Sequence, residues 1–89
     1  MVYLVSYDLR RRRRDYKGLI DELQNSRGWW HYLDSTWLIS TQESVEQLAA
    51  RLTPHFDNND SLLVIEVRRN YQGLLPKEAW DWIDQNSLY

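Results

Sequence analysis

Eighty-nine residues allow one small domain with a single core, and the absence of cysteine excludes disulfides, thiolate metal sites and a cysteine nucleophile. A 43% hydrophobic content argues for a globular chain rather than a disordered one, and five tryptophans with six tyrosines make aromatic packing its signature. The net charge of −2 hides an asymmetry: Arg10 to Arg14 supply five of the eleven basic residues, and the remainder is six basic against thirteen acidic.

Residues 2–8 alternate and are rich in β-branched and aromatic side chains, which predicts a strand. Val2, Leu4, Ser6 and Asp8 share one face; Tyr3, Val5 and Tyr7 share the other. Both faces are largely apolar, as in a central strand covered on two sides. The opening "MVYLVSYDL" has no basic n-region or cleavage site, so it reads as this strand and not as a signal peptide. No run approaches the roughly 18 apolar residues of a membrane span. Together with the missing cysteines this fits a cytoplasmic protein.

From Asp15 the period becomes helical, with Tyr16, Leu19, Ile20 and Leu23 on one face and Gly28 expected as the stop signal. "WWHYLDSTWLIS" at 29–40 reads as a hairpin turning at Asp34 and Ser35. A second helix follows, with a capping box from Ser44 to Gln47, an apolar face of Val45, Leu48, Ala49 and Leu52, and Pro54 near its end. "DNND" at 57–60 is a turn, 61–67 a strand, and 76–86 a helix opened by Pro76 with Ala79, Trp80 and Ile83 as its stripe.

The order strand, helix, strand, strand, helix, strand, helix predicts an α+β, ferredoxin-like βαββαβ domain over 1–89 with an added C-terminal helix. Right-handed crossovers put the two main helices on one face of a four-stranded antiparallel sheet, in strand order 4-1-3-2. The second face then needs a cover: the terminal helix, a second subunit, or both. A twofold homodimer is the commonest such arrangement.

Two features carry chemistry. Asp8 ends a central strand, where a carboxylate either ligates Mg²⁺ or caps a turn by accepting backbone N–H bonds. Arg10, Arg11, Arg12, Arg13 and Arg14 are either phosphate clamps, since guanidinium forks match phosphate oxygens, or a solvated basic loop. His31 and His55 are the general-base candidates, but no nucleophile motif stands beside them, and a packed or interface role is expected of His31. Trp29, Trp30, Tyr32 and Trp37 have faces on which bases could stack, with core and interface packing as the favoured reading. The chain has only three glycines, and no phosphate-binding glycine loop, zinc spacing or EF-hand loop is present.

The stretches "VYLVSYDL" at 2–9, "LDSTWLIST" at 33–41 and "DNNDSLLVIEV" at 57–67, with the arginine-bearing segment entering the first helix, resemble a known family. It is that of the smaller of the two universal CRISPR-adaptation proteins, allied to virulence-associated ribonucleases and SinR-like proteins. "WWHYLDSTWLI" with "LLPKEAWDW" points to the SinR-like branch. The resemblance implies a ferredoxin-like homodimer whose first-strand aspartates, here Asp8, face each other near the twofold axis and share a Mg²⁺. Some members are metal-dependent nucleases acting on RNA or duplex DNA; others are adaptors without catalysis, working with a protein partner encoded nearby. Arg10 to Arg14 correspond to a connection that is often basic in the family. Two departures are plain: Trp37 stands where the CRISPR proteins carry phenylalanine, and the tail reads as a helix where theirs is a strand pairing with a neighbour.

Overall fold

Alternation is longest at the N-terminal stretch, and β1 (Val2–Asp8) forms there as a central strand. The computed structural model describes residues 1–10 and 16–86, with the side chain of Tyr32 outside that set. Beyond β1 come α1 (Lys17–Gln24), β2 (Gly28–Leu33), β3 (Thr36–Ser40), α2 (Val45–Leu52), β4 (Ser61–Glu66) and α3 (Lys77–Asn86). The strands make one antiparallel sheet in the order β2-β3-β1-β4, a small α+β architecture compatible with a ferredoxin-like fold. Among the described residues no helix is long and apolar enough to cross a membrane.

The two faces of β1 feed two cores, as period-2 alternation requires. Tyr3 and Val5 pack with Leu19 and Leu23 of α1, Leu48 and Leu52 of α2, and Trp37 and Ile39 of β3. Burying each of those leucines is worth about 1.5–3 kcal/mol. On the opposite face Val2 and Leu38 meet Ile83 of α3, flanked by Leu4, Trp30, Trp80 and Trp82. The terminal helix therefore covers part of the second face. Its cover stops short of β4, where Leu63 and Ile65 remain 56% and 50% exposed.

Local chemistry sets the element ends. Ser44 and Gln47 close the expected capping box: the Gln47 N–H donates to Ser44 Oγ at 3.2 Å, and the Ser44 N–H to Gln47 Oε1 at 2.8 Å. Pro54 enters a short 3₁₀ turn, Thr53–His55, that ends α2. Asp34 and Ser35 form a two-residue hairpin turn without a positive φ. Two-residue hairpins that match strand twist need positive φ; here a register shift between Trp30 and Leu33 takes up the difference.

Gly28 differs from expectation. It is not a helix stop but the first residue of β2, with negative φ. Helix α1 ends earlier, at Asn25, whose N–H donates to Asp21 O at 2.9 Å. Glycine is used at 28 for closeness, since a Cβ there would lie 3.3 Å from Asn86 Oδ1 and 3.3 Å from Ser40 Cβ.

Arg51 joins the helices to the loops. Its guanidinium donates to Glu43 Oε2 at 3.1 Å and Oε1 at 2.8 Å, to Glu22 O at 2.5 Å and Oε1 at 3.1 Å, and to Ser26 Oγ at 3.0 Å. These bonds occupy every N–H donor an arginine has.

Candidate nucleic-acid interface

At the end of β1 the alternation sends Tyr7 toward the helices and Asp8 to the opposite face. Asp8 pairs in register with Ser61 at the start of β4. The Asp8 carboxylate lies 3.4 Å from Arg10 Nε, with side chains 65% and 67% exposed respectively. An ion pair that open contributes under about 1 kcal/mol, so both groups can exchange partners.

The cap at this corner is Asp60, which sequence reasoning placed only in a turn. Its Oδ1 accepts the Arg10 backbone N–H at 2.9 Å, and its Oδ2 accepts the Asp57 N–H at 2.8 Å. One carboxylate thus closes the 57–60 turn and anchors the chain where the arginine segment begins. An aspartate three residues after another, next to a strand start, is the local signal, but its reach to Arg10 spans fifty residues. Arg11, Arg12, Arg13 and Arg14 lie outside the described residues.

Aromatic side chains line the helix-facing side of β3 and β2, where Trp37 lies opposite Val5 and Trp29 is paired with Ile39, opposite Tyr3. Trp37 is 1% exposed, and its Nε1 donates to Tyr7 Oη at 2.9 Å. Burial raises the Tyr7 hydroxyl above its ordinary pKa, partly offset by that donation from Trp37. His31 is exposed, and its ring packs on Trp37 with centroids 3.8 Å apart and planes 12° from parallel. Trp29, 41% exposed, tilts against Trp37 at 5.4 Å. Trp30 is half-buried in the second core, so the aromatic hairpin serves both faces. His55 is half-buried with Nε2 3.7 Å from Glu22 Oε2, away from Asp8 and beside the Arg51 network.

Among the described residues no three metal-ligating side chains converge. Among the described residues Asp8 is the carboxylate at the end of β1, it faces the guanidinium of Arg10, and a Mg²⁺ ion needs several more oxygen ligands than it supplies. Shallow concavities flank the corner, one lined by Ser6, Tyr7, Asp8, Ser61, Leu62 and Leu63, another by Arg10 and Asn59. Compared with known proteins, the chain matches no family model, no curated protein and no solved structure.

Proposed function

We propose that this chain is a nucleic-acid-binding protein acting as a homodimer, as its resemblance to the CRISPR-adaptation and SinR-like proteins implies. Its phosphate contacts would come from the segment Arg10 to Arg14. The observation that carries this reading is Arg10 itself. Its backbone is fixed by Asp60 while its side chain is 67% exposed and, among the described residues, pairs with Asp8 in an open ion pair. A cation anchored by its main chain at the head of an arginine run can deliver its side chain to a phosphate at little cost.

Binding of labelled RNA and duplex DNA across a salt series tests the reading. Replacing Arg10 to Arg14 by glutamine should weaken binding and flatten the dependence of log K on log salt. Binding that is unchanged in that variant would falsify the proposal, and would favour an adaptor that meets a protein partner through other surfaces.

A second reading, metal-dependent cleavage of RNA or DNA, has one observation in its favour. Asp8 shares the sheet face of Leu63 and Ile65, which a second copy would cover in a twofold pairing. Two Asp8 carboxylates brought together could then share a Mg²⁺. Cleavage that requires Mg²⁺ and vanishes in Asp8→Asn, with binding retained, is the expected result. Cutting that persists equally in Asp8→Asn would point to contamination, and binding without any cutting would leave a binding protein without chemistry.

A further inference from the structure

The second core does not close on itself. Beside the connection from β4 to α3, a recess of about 290 Å³ remains between sheet and helix. Its floor is a row of side chains in which Leu4 of β1 lies opposite Leu38 of β3, and Leu38 opposite Trp30 of β2. Ile83 and Trp80 of α3 form one wall. Tyr71 continues that wall, stacked on Trp80 with centroids 6.0 Å apart and planes 16° from parallel. Leu38 and Ile83 are 7% and 4% exposed, so the recess reaches the packed interior. Protein interiors hold few voids larger than a water molecule. An apolar space of this size gains free energy from a partner that displaces its water and restores the missing contacts.

The chemistry of the lining selects the occupant. Among the described residues that line the recess none is charged, so an ion entering it would lose its hydration without a partner. Trp30, Tyr71 and Trp80 offer aromatic surface, which packs favourably on other rings. Thr36 and Gln72 supply the polar side chains. Thr36 Oγ1 lies 3.3 Å from Ser6 Oγ, and that pair retains one hydroxyl hydrogen and acceptor lone pairs. Size narrows the choice further. An apolar cavity of about 150 Å³ holds one benzene, so about 290 Å³ suits two fused rings. Leu63 and Ile65 lie outside the lining, so the exposed surface of β4 and the recess are separate features.

We infer that the recess binds a neutral two-ring aromatic molecule. Its rings lie between the floor of Leu4, Leu38 and Trp30 and the wall at Trp80, and one hydroxyl or carbonyl turns to Thr36 or Gln72. The inference is independent of the phosphate-binding role proposed above.

NMR of the five tryptophan indole N–H signals, assigned by single Trp→Phe substitutions, tests it with three probes. These are 2-naphthol, naphthalene-2-carboxylate and the saturated analogue 2-decalol. Naphthol should move the Trp30 and Trp80 signals in a saturable one-to-one titration. The signals of Trp29 and Trp37, which pack on the opposite face, should stay in place. The carboxylate should bind about tenfold or more weakly, because its charge would be buried unpaired. Decalol, without π-faces, should bind about threefold or more weakly. Leu4→Trp, which sets an indole into the recess from its floor, should abolish the titration while urea unfolding still shows a folded chain. Where that variant fails to fold, the three probes on wild type decide. The absence of a saturable shift, shifts at Trp29 and Trp37 instead, or equal affinity for either analogue would overturn the inference. Trp30 and Trp80 signals that follow protein concentration and ignore the probes would also overturn it, and would assign the recess to a second copy. The probes contain no phosphate, so failure here leaves the nucleic-acid reading standing.

Discussion

Replacing Arg51 by methionine is expected to destabilise the fold by about 2–4 kcal/mol. Methionine keeps most of the aliphatic stem and removes the charge and all five hydrogen bonds. Glu22 and Glu43, with side chains 28% and 30% exposed, lose the guanidinium they share, and Glu22 keeps only the His55 ring at 3.7 Å among the described ion-pair partners. Truncating one partner of a buried pair costs about 3–5 kcal/mol, and partial hydration of these carboxylates lowers that figure. With a urea slope of about 1 kcal/mol per M for a chain of this size, the midpoint should fall by about 2 M or more at neutral pH. The pH dependence has a definite sign. Hydrogen bonding from Arg51 holds the Glu43 carboxyl below its ordinary pKa, against the opposing pull of burial. A depressed carboxyl contributes stability above its unfolded pKa and loses it as pH falls through the folded value. The advantage of wild type over Arg51→Met should therefore shrink as pH falls below the usual carboxylate range. A midpoint change within about 0.5 M at neutral pH would refute the role assigned to this network.

Asp60→Ala removes the acceptor for the Arg10 and Asp57 N–H groups; it should cost about 1–2 kcal/mol in urea unfolding and speed amide exchange at Arg10. Gly28→Val should cost about 1–3 kcal/mol, partly recovered in an Asn86→Ala background because the amide is one of the two closest obstacles. Leu63→Lys with Ile65→Lys should change the stability of the single chain by under about 0.5 kcal/mol, since both residues are half exposed. Sedimentation of the same variant should show a monomer if the β4 side of the second face is where two copies meet.

Elements governed by near neighbours were legible in the sequence. The alternation of 2–8, the capping box of Ser44 and Gln47 and the stripe of α3 each depend on contacts within a turn or a strand, and all are present. Gly28 was misread because a glycine after a helical pattern is usually a stop, while its reason lies in Asn86, fifty-eight residues away. Asp60 and Arg51 likewise reach partners fifty and twenty-nine residues away; the local pattern marks the 57–60 turn but not the bond to Arg10, and it does not mark Arg51. The expectation for His31 and Trp29 is packing in the core or at an interface, and nothing near them in the sequence gives their degree of exposure. Their exposure follows from the position of β2 at the sheet edge, which depends on the whole strand order.

That strand order also sets a timetable for synthesis. β1 is made before either of its neighbours, yet it lies between β3 and β4, and its pairing with β4 joins Tyr3 to Glu66. On the ribosome, β1 has no sheet partner until the hairpin emerges, and its second edge stays open until β4 has been made. Until α3 follows, Val2 and Leu38 lack the Ile83 side of their cluster. Contacts so distant in sequence make folding slow relative to a helical bundle of similar size. A nascent chain halted before α3 would carry a solvent-facing apolar patch, the form in which this protein should most need a chaperone.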